Sequence, residues 1–205
     1  MKVLSLHYPK AGGTSFRTSL SRAFGKEVIV PLYSFHPYSF WSRHIPLTRA
    51  FLQARLMNKR DYIVHGHFNP NIFYDNTFDI KVSIVRHPVS WVKSLHDFWT
   101  ICVSKGVRDH YVYERFRKQR PSVIELASYP EIKNSMSISY FGGFDVNYFD
   151  FIGIQENYKV TLDKLSSILG ADLYEENLNI TSRLELPSND SNSYPLSRSE
   201  EVKLE

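Results

Sequence analysis

The first sixteen residues constrain the fold more than any other stretch. Lys2-Val3-Leu4-Ser5-Leu6-His7 reads as a short apolar strand, Tyr8-Pro9-Lys10-Ala11-Gly12-Gly13 as a turn, and Thr14-Ser15-Phe16 as the opening of a helix. A strand that runs through a glycine-containing turn into a helix builds an anion cradle. The glycines let backbone N–H groups close on phosphate-type oxygens, the helix presents its positive end, and the lysine adds a mobile charge. The plainer alternative is a turn with a surface lysine and ordinary helix capping by Thr14 or Ser15. Two common owners of such loops are excluded. The nucleotide triphosphatase loop G-x-x-x-x-G-K-[ST] needs its lysine after the second glycine, whereas Lys10 precedes Gly12 and Gly13. The dinucleotide fingerprint G-x-G-x-x-G lacks its third glycine here.

Further along, strands and helices alternate. Val28-Ile29-Val30, Tyr62-Ile63-Val64, Ile80 to Val85 and Phe149 to Ile154 read as strands; Thr14 to Phe24, Leu47 to Lys59, Pro88 to about Val103 and Tyr158 to Leu169 read as helices. Gly25 and Gly170 end two of them, and Pro88 opens a third where its missing N–H costs nothing. Residues 108–141 read as mainly helical, with breaks at Pro121 and Pro130. Several of the strands are nearly continuous apolar runs, the mark of strands buried on both faces. The expected class is therefore α/β, with a central parallel sheet flanked by helices. The 205 residues, 42% of them hydrophobic, are enough for one core, so residues 1–205 form a single domain with a Ser/Asn-rich tail over 188–205.

In such sheets ligands collect beyond the C-terminal strand ends, which nominates Pro9-Lys10, His65-Gly66-His67 and Arg86-His87 for one cleft. Arg86 ends the strand Ile80–Val85, and Ser94 follows eight residues on, two turns into the next helix. An arginine can grip a phosphate in bidentate fashion, and the serine hydroxyl can share that anion. His65 and His67, separated by Gly66, admit three readings. These are a structural pair, metal ligands, or a general base, since imidazole titrates in the useful range. No Cys, Asp or Glu nearby completes a zinc set.

Pro9-Lys10-Ala11-Gly12-Gly13-Thr14-Ser15 resembles the 5′-phosphosulfate loop of sulfotransferases that use 3′-phosphoadenosine 5′-phosphosulfate (PAPS). The strand-Arg86-His87-Pro88 turn with Ser94 resembles their 3′-phosphate motif, although the family more often has aspartate where His87 stands. His65-Gly66-His67 narrows the resemblance to the heparan sulfate 2-O- and 6-O-sulfotransferases and their bacterial relatives. The resemblance touches positions 3–20, 61–100 and 149–183. It implies a P-loop-NTPase-like three-layer fold and transfer of a sulfuryl group from PAPS to an acceptor hydroxyl, on a saccharide by analogy. It assigns Pro9, Lys10, Ala11, Gly12, Gly13, Thr14 and Ser15 to the 5′-phosphosulfate, and Arg86 and Ser94 to the 3′-phosphate. Arg183 would lie on a loop closing over the nucleotide. Lys10 would neutralise the leaving oxygen, and His67, with His65 as helper or substitute, would take the hydroxyl proton. No metal is expected. Glu156, at the turn after Phe149–Ile154, reads first as a helix cap.

Composition limits the partners. The net charge of +4 and pI near 9.0 suit anionic ligands, but 25 basic residues against 21 acidic ones do not argue for nucleic acid. The basic run Arg115, Arg117, Lys118, Arg120 reads as a solvated helix face. Cys102 is the single cysteine and reads as a buried structural thiol. Neither a signal peptide nor a membrane-length apolar run is visible, so a cytoplasmic protein is expected, or a Golgi lumenal one if the chain is a trimmed catalytic domain. Two rival readings stay open: a P-loop-type nucleotide kinase or phosphotransferase, and a non-catalytic glycan-binding protein on the same fold. The aromatic loop 33–46 and the segment 106–120 have the side chains to stack on sugars, and equally those of a core or a dimer contact.

Overall fold

A computed structural model of the chain describes residues 1–33, 56, 59–73, 78–143 and 145–175. The strands are β1 (Lys2–His7), β2 (Ile29–Pro31), β3 (Tyr62–Gly66), β4 (Ile80–Val85) and β5 (Phe151–Ile154). They form one all-parallel sheet in the order β2-β3-β1-β4-β5. The first strand thus lies in the middle, with Leu4 opposite Val64 on one side and Lys81 on the other. Both faces of β1 are buried, Val3 and Leu4 completely, and Ser5 and His7 are buried with them.

Helices α1 (Gly13–Phe24), α2 (Pro88–Ser104), α3 (Tyr111–Gln119), α4 (Val123–Ala127), α5 (Pro130–Lys133) and α6 (Tyr158–Leu169) flank the sheet. Their apolar stripes supply Phe16 and Leu20, Trp91, Leu95 and Trp99, and Leu162, Leu165 and Leu169 to a single core. Gly170 ends α6 in the left-handed region expected of a C-terminal glycine. None of the described helices is long and apolar enough to cross a membrane.

Two local expectations need correction. Thr14 and Ser15 do not cap α1; its N-cap is Gly12, at φ 77°, with no side-chain bond to the helix. The chain does break at Pro130: α4 ends at Ala127, and Pro130 opens α5, where a first-turn proline forfeits no bond. Behind it the chain makes one turn of π-helix, Ser135–Tyr140, pinned by Asn71 Nδ2 donating to the Gly142 carbonyl at 3.1 Å. The basic run on α3 is not simply solvated: Arg115 pairs with Glu131 at 2.6 Å and stacks on Tyr129, and Arg117 pairs with Glu114. The aromatic loop beyond Tyr33, the helix over 47–59 apart from Leu56 and Lys59, the loop carrying Arg183 and the 188–205 tail lie outside the described residues.

Candidate functional site

The connection leaving β1 runs toward β2 on one side of the sheet, while the one leaving β4 runs toward β5 on the other. Adjacent strands whose connections diverge in this way open a crevice at their C-terminal ends. The crevice here lies between the Tyr8–Gly12 loop and Arg86-His87. The loop begins as a turn in which Ala11 N–H donates to the Tyr8 carbonyl at 3.3 Å, with Pro9 and Lys10 as its central residues. Lys10 has φ 61°, a left-handed conformation that costs a non-glycine residue roughly 1 kcal/mol or more. Gly12 also adopts the left-handed region, and Phe16 N–H to the Gly12 carbonyl is the first helical bond. The amides at the start of α1 therefore lack helical partners by construction and point out of the N-terminus.

Arg86 closes the other wall. Its Nη1 donates to the Lys10 carbonyl at 3.2 Å, and its Nε lies 3.8 Å from Glu156 Oε1. That Nε is buried with no hydrogen-bond partner. Glu156 engages a helix end, though not that of α6, which follows it. Its carboxylate accepts from His87 N–H at the head of α2, at 3.1 and 3.2 Å. Gln155 and Tyr158 from the same corner stand over Gly12. Ser94 is buried on α2, one helical step from Trp91 and another from Phe98, both of which touch the loop. The Lys10 ammonium lies 4.2 Å above the Phe98 ring. Burial, then the Arg86 charge, lowers its pKa to about 8.

The histidines follow from sheet register. Ser5 pairs with His65 across β1 and β3, and its Oγ lies 2.8 Å from His65 Nδ1. Two residues on, the same sheet face carries His7 and His67, whose rings are 4.3 Å apart. His7 also stacks on His65 at 5.4 Å. Phe16 of α1 stands edge-on to His65, and Tyr33 stands edge-on to all three imidazoles, 5.0 Å from His67. His7 is thus a member of the cluster that sequence reasoning missed, although Ser5-x-His7 and His65-x-His67 share one alternation.

Two glycines are explained by packing. A Cβ on Gly13 would fall inside the His7 ring, and one on Gly66 would lie 2.6 Å from the Leu32 backbone of the neighbouring segment. Burial, reinforced by the neighbouring imidazoles, pushes the pKa of His7 well below the ordinary value and that of His65 to about 3. Burial lowers His67 to about 4. All three rings are accordingly neutral near pH 7. His65 is fully buried, while His67 is half-buried and is the ring nearest solvent.

The structure thus gathers Pro9 to Ser15, Arg86, Ser94, His65 and His67 around the ends of β1, β3 and β4, and adds His7, Glu156 and Trp91. Cys102 is half-buried, one turn beyond Phe98, and burial raises its thiol pKa. No group of three or more His, Cys, Asp or Glu among the described residues is arranged to hold a metal ion. The chain has no match among protein-family models or among curated protein sequences.

Proposed function

We propose that this chain is a PAPS-dependent sulfotransferase with a P-loop-like cradle, transferring a sulfuryl group to a carbohydrate hydroxyl. The observation that carries the reading is the Arg86 Nη1 contact with the Lys10 carbonyl. It joins the two anion motifs, 76 residues apart, in one crevice beside a neutral histidine cluster. The Arg86 guanidinium, whose buried Nε makes no hydrogen bond, and the N-terminus of α1 suit a ligand with anionic groups at two ends. Bound there, PAPS supplies an activated sulfuryl group and leaves as adenosine 3′,5′-bisphosphate.

The chain's own residues divide the work. Amides from Gly12 to Ser15 hold the 5′ end, and Arg86 with Ser94 holds the 3′-phosphate. Lys10 rests on Phe98 and turns toward the cradle to offset charge on the leaving oxygen. His67, the most exposed imidazole of the three, takes the acceptor's hydroxyl proton on a ring nitrogen. An anion in the cradle favours the imidazolium and so strengthens this base. His65, tied to Ser5 and closed to solvent, orients the cluster and does not reach the acceptor. Tyr33 beside His67, with the Arg17 guanidinium 5.4 Å above it, offers a sugar ring an aromatic face and an acidic group a cation.

Adenosine 3′,5′-bisphosphate is expected to raise the melting temperature, and ATP–Mg to do so far less. The reverse order would favour a kinase. Lys10→Ala and His67→Ala should each lower sulfate transfer by about 10²-fold or more while leaving a folded protein. Near-normal transfer by either would remove its assigned role.

A further inference from the structure

We propose that Trp91 is a positioning residue that selects the conformation of the anion loop, and with it the direction of Lys10. The inference deepens the functional reading above and rests on it. Trp91 Nε1–H donates to the Pro9 carbonyl at 2.9 Å, and the ring is buried, stacked on Tyr8 with centroids 5.0 Å apart. Tyr8 is itself fixed edge-on against Tyr140 at the end of the π-helical turn.

The peptide that Trp91 grips is the central one of the Tyr8–Ala11 turn. Turns of types I and II differ mainly by a flip of that central peptide. In type I, Lys10 would have negative φ, which suits any residue; in type II it has positive φ, which suits glycine. The observed φ of 61° is the disfavoured choice for lysine. The Pro9 carbonyl and the Lys10 N–H point in opposite directions across a planar trans peptide. Anchoring the carbonyl on Trp91 therefore holds the amide away from α2 and blocks the flip. The other two carbonyls of the turn are occupied as well, Tyr8 by Ala11 N–H and Lys10 by Arg86. All three acceptors are thus bound within the protein, where an inward-turned carbonyl would repel an anion. Among the described residues, no carbonyl accepts from Lys10 N–H.

The test removes the indole N–H, in one variant with a smaller benzene ring in its place and in the other with the bicyclic ring kept. Trp91→Phe, and the full-length protein with benzothienylalanine at position 91, are titrated with adenosine 3′,5′-bisphosphate and separately with pyrophosphate. Binding of both ligands should weaken about fivefold, the equivalent of one lost hydrogen bond. In a Lys10→Gly background, where glycine accepts positive φ unaided, the same changes should cost less than about twofold. Unchanged binding in the Lys10 protein would overturn the proposal. So would an equal loss in both backgrounds, which would assign Trp91 to packing alone. Pyrophosphate separates the two claims. If the wild type binds it but not the bisphosphate, the sulfotransferase reading fails and the role of Trp91 is still decided by pyrophosphate. If the wild type binds neither, both fall.

Discussion

Gly13→Ala tests the site most directly, because the sequence and the structure give that glycine different work. As a sequence feature, Gly13 leaves room for a phosphate to approach the backbone. In the structure its missing Cβ is the space filled by the His7 ring. Two terms oppose each other. Alanine is the better helix former at the head of α1 by up to about 1 kcal/mol. Against this, forcing a methyl into an occupied site costs about 1–3 kcal/mol. His7 has little room to retreat, with His67 at 4.3 Å, His65 at 5.4 Å and Tyr33 at 6.0 Å around it. The clash should win, leaving a net loss of about 1–2 kcal/mol, read as a lower urea midpoint with unchanged slope. The double variant His7→Ala/Gly13→Ala should then cost less than the sum of its parts, by about 1–3 kcal/mol. Gly12→Ala is the contrast. Its Cβ would meet nothing closer than the Tyr158 ring at 3.6 Å, so its cost comes from φ 77° and is indifferent to His7. A Gly13→Ala protein as stable as the wild type, or costs that simply add, would refute the packing argument.

Two further outcomes are expected. His65 and His67 are held near pKa values of about 3 and about 4, and His7 well below its ordinary value, whereas the unfolded chain protonates them near 6.5. Below about 6.5 the unfolded state binds protons that the folded state refuses. Stability should therefore fall as pH drops from about 6.5 toward 4, and His65→Asn should flatten part of that slope in urea titrations. Arg86→Ala should weaken adenosine 3′,5′-bisphosphate at least about tenfold by calorimetry, and adenosine 5′-phosphate by less, since only the former carries the 3′ group. An equal loss for both ligands would place Arg86 in loop support alone.

Much of this architecture is legible in local sequence. β4 spans Ile80–Val85 and α6 spans Tyr158–Leu169, as their apolar spacing and flanking Pro88 and Gly170 suggest. What escapes local reading depends on partners far along the chain. His7 joins His67 only because β1 and β3 run parallel in one register, and no window of residues contains that fact. Glu156 has the spacing of a cap for the helix after it, yet the β4–β5 pairing carries it to His87 and Arg86. Gly66 resembles a spacer between two histidines until the Leu32 backbone is seen against it. Trp91 follows the apolar rhythm of α2, and its N–H becomes informative only once the β1 loop lies across the helix.

The position of β1 at the centre of the sheet also sets the order of assembly. Its contacts to β3 and β4 close chain loops of 60 and 77 residues, so their entropy is lost before those contacts are gained. Until β4 docks, the Tyr8–Gly12 segment has neither Arg86 nor Trp91 to hold its carbonyls. The Tyr8–Gly12 segment therefore acquires its chemistry late. During refolding, recovery of anion binding should lag behind the helical signal of α1 and mark the moment at which the two halves of the sheet have met.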